Sequence, residues 1–270
     1  MATGARPRLF RDNYGEEGGR WGCEVAQGRS TRHFPELKVI TTTPSGTPLD
    51  PRLLHVWADL REFSRIANGV TTPTTTTTTT KTTATRMPIN VFSKVGSSIP
   101  YRLVQLEFPP ASLEEVLRLS MLAYAKTLVM RLKGFMTRLG FLANKVKPAI
   151  QAQLLLAQQG LAGRDSHDDE KNGQEEGQNT GRFLRFLLWD VFIVAVSLCE
   201  DNIGHDNDND DDDDDTQNWC KKCLIQILTM LSFRTWAEVK ATLSKFLWVD
   251  VLHDHPARAI FERVQREMLV

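Results

Sequence analysis

The fold of this chain is decided near its C-terminus, by Ser232–Val270, which reads SFRTWAEVKATLSKFLWVDVLHDHPARAIFERVQREMLV. Thr235 and Glu238 have the spacing of a capping box, in which each residue's side chain accepts a hydrogen bond from the other's backbone N–H. Apolar residues then recur in steps of three and four that place them on one helical face: Trp236, Val239, Leu243, Phe246 and Leu247. The start signal and the periodicity together predict a helix.

A second helix is predicted in the same stretch. Residues 250–255 break the apolar pattern, and Pro256 restarts it, because its fixed φ suits the first turn of a helix. Ile260, Val264 and Met268 form the new stripe. The stretch therefore predicts two helices joined by a turn, and their apolar faces need a partner surface from earlier in the chain.

Composition sets the broad class. The 270 residues carry 33 basic and 33 acidic side chains, so no net field favours nucleic acid or an anionic membrane. The balance hides one asymmetry, an acidic run at Asp206–Asp215 without a basic residue. The hydrophobic fraction of 41% is enough for a core, and it is concentrated in Leu103–Leu161 and Phe183–Val270.

The cysteines indicate a reducing compartment. Four cysteines, at 23, 199, 220 and 223, are too few and too unevenly spaced for a disulfide framework in a chain of this length. The N-terminal residues include Arg6, Arg8 and Arg11 but no apolar segment, so no secretory signal is indicated.

The apolar run Phe183–Cys199 requires a membrane test. It contains Arg185 and Asp190, and it is shorter than the roughly 20 residues that span a bilayer. We therefore predict a buried core helix, with a membrane anchor as the alternative.

Earlier segments supply the partner helices. Asp50-Pro51 is typical of a helix start and Asn68-Gly69 of a helix end. Tyr101–Phe108 is interpreted as a short extended piece. Ser112 and Glu115 form a second capping box, before a helix that is apolar nearly all round and therefore belongs in the centre of a bundle. Further helices are expected over Asn144–Gln159, residues 182–199 and Trp219–Leu231.

Low-complexity segments divide the chain. Residues 1–49 are interpreted as a disordered basic and Gly-rich tail, and residues 50–270 as one helical domain. That domain is interrupted by a Thr-rich loop at 70–86, a polar loop at 160–181 and an acidic loop at 200–217. The fold prediction is all-α: an irregular multi-helix bundle with a disordered N-terminus and low-complexity loops.

Cys220 and Cys223 are the first candidates for a metal or redox site. A zinc site normally needs four ligands, and only Cys199 and His205, across the acidic loop, could complete one. Two thiols three residues apart on an apolar helix are more often packing groups. We assign no metal site and no cofactor to this chain.

Two further patterns suggest chemistry. Asp206–Asp210 resembles the start of a calcium loop, but Asp211 stands where that loop needs Gly and Gln217 where it needs Glu. His253-Asp254-His255 could hold an acid–base pair or metal ligands. The favoured interpretation makes Asp254 a helix cap and His253 a partly buried hydrogen-bonding group. No catalytic residue is assigned.

Five blocks of the sequence carry a resemblance to a known family. They are LREFSRIAN (Leu60–Asn68), YRLVQLE (Tyr101–Glu107), LEEVLRLSMLAYAKTLV (Leu113–Val129), FLLWDVFIVAVSL (Phe186–Leu198) and RTWAEVKATLSKFLWVDVLHDHPARAIFERV (Arg234–Val264). The chain resembles, over about residues 50–268, the fungal-specific regulatory domain found downstream of the zinc-cluster DNA-binding module in many fungal transcription factors. The signature residues of the resemblance are Trp236, Phe246, Trp248, Asp250, His253, Asp254, Pro256 and Arg258.

The resemblance implies an all-helical, non-enzymatic domain of a nuclear protein that regulates transcription. Its partners would be proteins, either the transcription machinery or a second copy, with room for a small-molecule effector and with no membrane. One departure matters: the zinc cluster needs six closely spaced cysteines, and residues 1–100 contain only Cys23. We therefore expect no direct DNA binding by this chain, which would be a truncated product, a fragment or a relative that acts only through proteins.

Two other functions remain as alternatives. The first is a membrane-associated or small-molecule-binding helical protein anchored through Phe183–Cys199. The second is an enzyme whose residues converge only in three dimensions, around His253 or Asp190. The acidic run is expected to be a spacer, because activation segments usually interleave acids with bulky apolar residues.

Overall fold

The computed structural model describes residues 48–71, 98–129, 140–162, 170–199 and 211–268. Within these residues the chain forms eight helices and no strand, so the predicted all-α class is confirmed. The helices are α1 (Pro51–Thr71), α2 (described over 98–105), α3 (Leu113–Val129), α4 (Gly140–Ala162), α5 (Glu170–Cys199), α6 (Asp211–Leu231), α7 (Trp236–Leu243) and α8 (Asp250–Met268).

Helix α5 is the centre of the bundle. It packs against α3, α4, α6, α7 and α8, and every residue from 186 to 197 is buried. Helix α3 packs against α1, α4 and α5, and it is buried from 115 to 127. Two helices that are apolar nearly all round need cover on all sides, and the amphipathic helices supply it. The expected central position of the Ser112-capped helix and of the 182–199 helix is confirmed.

Residues 186–197, which make up most of the apolar run Phe183–Cys199, therefore lie inside the protein. They include Phe186, Phe192 and Trp189, which contact other helices. Among the described residues, no helix combines the length and apolarity that crossing a bilayer requires.

Two helix starts were predicted correctly. Asp50 precedes α1, and its carboxylate accepts a hydrogen bond from the Arg52 amide at 2.8 Å. Thr235 and Glu238 form both halves of the capping box at the start of α7. At α3 only half of the predicted box forms: Ser112 Oγ accepts from the Glu115 amide, but the Glu115 carboxylate binds Arg118 instead.

The predicted loops are shorter than expected. Helix α4 continues to Ala162 and α5 begins at Glu170, so residues 160–162 and 170–181 of the predicted polar loop are helical. Helix α6 begins at Asp211, so residues 211–217 of the predicted acidic loop are helical as well. Helices α5 and α6 both begin with acidic residues, which the positive end of the helix dipole stabilises. Similarly, α1 continues to Thr71, past Asn68-Gly69.

The remaining parts of these predicted loops (72–86, 163–169 and 200–210) lie outside the described residues, as does the N-terminal tail up to residue 47.

The extended piece predicted at Tyr101–Phe108 is wrong for its first half. Residues 98–105 are helical. The buried residues Ile99, Leu103 and Leu106 follow a helical spacing of four and three, and that spacing fits a short helix packed on the core.

The turn of the C-terminal stretch is also displaced. Helix α7 ends at Leu243, residues 244–249 form the turn, and α8 begins at Asp250 with Pro256 inside it. Phe246 and Leu247 thus belong to the turn rather than to the α7 stripe. The end of α7 is closed by two hydrogen bonds of the 3₁₀ type, from the Lys245 amide to Thr242 O and from the Phe246 amide to Leu243 O.

Candidate functional site

The signature residues cluster around the turn between α7 and α8. We call residues 246–254 the junction. Its backbone is held from two distant helices: Trp189 Nε1 of α5 donates to Leu247 O at 2.8 Å, and Asn68 Nδ2 of α1 donates to Trp248 O at 2.8 Å. Asn68 Oδ1 also accepts from the Asp250 amide at 3.0 Å. The amide group of Asn68 therefore holds both sides of the turn at the start of α8.

His253 connects the junction to α3. Its side chain is fully buried, between the rings of Trp248 and Tyr124 at centroid distances of 4.9 and 5.3 Å. Nδ1 accepts from the Val249 amide at 2.9 Å, and Nε2 lies 2.8 Å from Thr127 Oγ1. The imidazole thus accepts a hydrogen bond from the amide at the N-terminus of α8 through one ring nitrogen, and it is hydrogen-bonded to Thr127 of α3 through the other.

The ring of Tyr124 extends this network to α1. Its hydroxyl lies 2.5 Å from Ser64 Oγ, and Ser64 in turn donates to Leu60 O. Burial raises the pKa of Tyr124, and the Ser64 hydrogen bond offsets this only in part. The phenol therefore stays protonated and joins α1 to α3.

A charged cluster closes the solvent side of the junction. Asp254 accepts from Trp248 Nε1 at 2.7 Å and binds the Lys240 ammonium group of α7. The same ammonium group binds Asp250 and lies 5.7 Å from the Trp248 ring centroid. These contacts hold the Trp248 indole in place, with the Lys240 ammonium group near its ring and the Asp254 carboxylate at its N–H.

The remaining signature residues are Phe246 of the junction and three residues outside it, Trp236, Pro256 and Arg258. Phe246 packs on Phe186 and Trp189 of α5, whereas Trp236 packs on Phe192 and Phe261. Pro256 is half-buried within α8. Arg258 is 62% exposed and pairs only locally, with Glu262 at 2.9 Å. Most of the signature therefore packs the bundle, and Asp250 and Arg258 are its exposed members.

The structure corrects two expected roles. Asp254 does not cap a helix: it lies within α8, and its carboxylate binds the side chains of Trp248 and Lys240. His253 is fully rather than partly buried. Its ring, and not the Asp254 carboxylate, accepts the hydrogen bond from the Val249 amide at the N-terminus of α8. The displaced turn explains both errors, because α8 begins earlier than Pro256 suggested.

The sequence interpretation missed Asn68, Thr127 and Tyr124 as members of this site. Asn68 had been taken as a helix-end signal. Thr127 is a β-branched polar residue within an apolar helix, and such a residue is a sign of a buried hydrogen bond. Neither signal identifies the partner, since the partners lie more than 100 residues away in the chain.

Asp190 is the second unusual polar group. It is fully buried on α5, and neither carboxylate oxygen has a hydrogen-bond partner with normal geometry. Burial raises the pKa of Asp190 well above its ordinary value, and the hydroxyl of Ser120 on α3 lowers it only in part. In the pattern His253-Asp254-His255, the His253 ring bonds to Val249 and Thr127, whereas the Asp254 carboxylate bonds to Trp248 and Lys240.

The cysteines of α6 behave as packing groups. Cys220 and Cys223 are buried thiols. Burial raises the pKa of Cys223 to about 11, with the positive charge of Lys147 opposing that shift, so the thiol is protonated at neutral pH. Within the described part of the chain, no group of three His, Cys, Asp or Glu residues is placed to hold a metal ion.

Comparison with protein-family models finds no match for this chain, and neither does comparison with curated proteins or with solved structures.

Proposed function

We propose that this chain is a non-enzymatic regulatory domain of the transcription apparatus, acts in the nucleus by binding proteins, and does not bind DNA itself. The observation that carries the proposal is the junction. Its polar side chains bind one another and the backbone of neighbouring helices, so their chemistry is used to build a rigid helical body. Such a body is suited to presenting a surface to another protein.

The resemblance to the fungal regulatory domain agrees with this arrangement. The stretch that carries most of the resemblance, Arg234–Val264, forms α7, the junction and most of α8. A family signature made of packing residues is expected for a domain that is defined by its fold and not by a reaction. The partner would be a protein of the transcription machinery or a second copy of the chain, and an effector remains compatible with the proposal.

The membrane-associated alternative is less well supported. It rested on the apolar run Phe183–Cys199, and that run is covered by five other helices of the bundle. Side chains that are already packed have no free face for lipid.

The experiment that tests the proposal fuses the whole chain to a DNA-binding module of known operator and measures transcription of a reporter in a eukaryotic cell. The fusion should change reporter transcription relative to the module alone. Trp248→Ala, which disrupts the junction, should remove that change, whereas Arg52→Ala, on an exposed side chain paired with Asp50, should not. Fluorescence microscopy of the unfused chain should show it in the nucleus.

Two results would contradict the proposal. One is reporter transcription equal to that of the module alone although the fusion is expressed and folded. The other is sequence-specific binding of the purified chain to duplex DNA, measured by fluorescence anisotropy at several salt concentrations, since nonspecific binding by basic residues weakens steeply with salt.

A further inference from the structure

The hydrogen bonds around His253 assign its protonation state. The Val249 amide donates to Nδ1, so Nδ1 carries no proton. Thr127 Oγ1 gives its one proton to Tyr124 O at 2.7 Å, so the contact between Thr127 and Nε2 is a hydrogen bond donated by the ring. The buried imidazole is therefore the neutral tautomer with its proton on Nε2.

A second proton on this ring would be incompatible with the junction. It would add an N–H to Nδ1, directly opposite the Val249 N–H, so two donors would face each other. The bond that satisfies the N-terminus of α8 would be lost, and a cation would be buried between two aromatic rings. The aromatic rings of Trp248 and Tyr124 would stabilise the imidazolium cation less than water does.

Among the described residues, the charged and titratable groups on the elements around the ring also bind other partners. On α8 and its preceding turn, Asp254 binds Trp248 Nε1 and Lys240, and Asp250 also binds Lys240 of α7. On α3, Lys126 donates to Ser197 O at the end of α5, and the Tyr124 hydroxyl binds Ser64 of α1. The contribution of α1 to the junction, Asn68, is uncharged. The adjacent His255 is exposed.

We propose that His253 is a pH-sensitive latch, which closes the contact between α3 and the first turn of α8 when its ring is neutral and releases that turn when the ring is protonated. The released segment would include Trp248 and Val249, so opening would expose an apolar surface on the C-terminal part of the bundle. The latch is a property of the fold and does not depend on the function proposed above.

The sign of the effect follows from linkage. In the unfolded chain His253 takes up a proton near pH 6.5, whereas in the closed junction it resists protonation. Its contribution to stability is therefore complete above about pH 7 and is lost as the pH falls. The loss approaches about tenfold in the folding equilibrium constant per pH unit once the pH is below the unfolded value.

The test measures the folding equilibrium constant by denaturant unfolding between pH 7.5 and 5.0 for the wild type, His253→Gln and His255→Gln. The glutamine amide at 253 can accept from the Val249 amide and donate to Thr127 without titrating. The wild type and His255→Gln should share the same loss on acidification, and His253→Gln should lack about thirtyfold of it. Subtraction of the curves removes the contribution of Asp190 and other groups common to all three.

A measurement on the unmodified protein keeps the proposal testable if His253→Gln does not fold. Hydrogen exchange of the Val249 and His253 amides, corrected for the intrinsic dependence on pH, should lose protection at pH 5.5 relative to pH 7.5 more than amides in the middle of α5. Equal pH dependence of wild type and His253→Gln would overturn the proposal, as would unchanged protection of the Val249 amide at pH 5.5.

Discussion

At the scale of single residues, the clearest anomaly is the buried carboxyl of Asp190. A carboxylate that leaves water without a hydrogen-bonding partner is destabilising, so this group stays protonated over a wider pH range than an exposed aspartate. The folded-state pKa is raised above the unfolded one, and the folded protein binds more protons in that interval. The stability of the fold therefore falls as the pH rises from about 4 through the folded-state pKa.

We predict from this that Asp190→Asn stabilises the protein at pH 7. The expected gain in unfolding free energy is about 1–3 kcal/mol, because the amide stays neutral in both states, whereas the carboxyl costs about 1.4 kcal/mol for each pH unit that burial puts between its folded and unfolded pKa values. The gain should shrink towards pH 4, where the carboxyl is protonated in the folded protein and about half protonated in the unfolded chain. Denaturant unfolding at the two pH values measures it. Asp59→Asn is the matched control: Asp59 pairs with Arg102 at 2.6 Å, so the same substitution there should destabilise. A loss of stability in Asp190→Asn at pH 7 would contradict the prediction.

Ser232 gives a second prediction at this scale. It follows the last residue of α6 with a φ of 57°, in the left-handed region that side chains with a Cβ adopt at a cost. Its amide donates to Thr229 O and the Phe233 amide donates to Leu228 O, the bond pattern of a Schellman motif. Ser232→Gly should raise the unfolding free energy by about 0.5–1 kcal/mol. Ser232→Ala should not raise it, and thermal unfolding of the two variants distinguishes relief of backbone strain from loss of the hydroxyl.

At the scale of helices, the stability of the short helix α7 depends on its N-cap residue, Thr235. The helix spans only Trp236–Leu243, and Thr235 Oγ1 accepts from the Glu238 amide while the Glu238 carboxylate accepts from the Thr235 and Arg234 amides. Those bonds lower the pKa of Glu238. Thr235→Ala should cost about 1 kcal/mol, and Thr235→Ser, which keeps the hydroxyl, should retain most of the stability. Equal stability of the two variants in denaturant unfolding would mean that the cap contributes nothing.

Local signals of this kind were readable in the sequence because they depend on residues a few positions apart. Each of these signals defines a local geometry without a distant partner: the capping box of Thr235 and Glu238, the helix start Asp50-Pro51, and the apolar steps of α3 and α5. The helix starts at Glu170 and Asp211 were not readable, because acidic and Gly-containing segments have weak helix signals on their own. Their helicity follows from the apolar segments that they precede and that pack in the core.

The junction could be predicted only in part for a related reason. Most of the signature residues named from the sequence lie in the stretch 246–254, yet its partners Asn68, Thr127 and Trp189 lie on α1, α3 and α5. Hydrogen bonds between residues 68 and 248, or 127 and 253, leave no periodic pattern in one chain. The position of the turn was missed because proline favours the first turn of a helix, whereas α8 tolerates Pro256 at a later position, where its missing N–H removes one bond.

At the scale of the whole molecule, the junction predicts that helices far apart in sequence unfold together. Residues 246–254 contact α1, α3, α5 and α7 and include the first residues of α8, so the N-terminal and C-terminal helices share one set of contacts. Trp248 is at its centre and almost completely buried, and Trp248→Ala should cost about 3–5 kcal/mol. Native-state hydrogen exchange at low denaturant should show this loss equally in α1 and in α8, because both lose protection through the same opening.

Trp236→Ala, which removes contacts with Phe192 and Phe261 outside the junction, should lower protection in α8 more than in α1. If α1 kept its wild-type protection in Trp248→Ala while α8 lost it, the bundle would consist of two units that open independently, and the junction would not be what unites them.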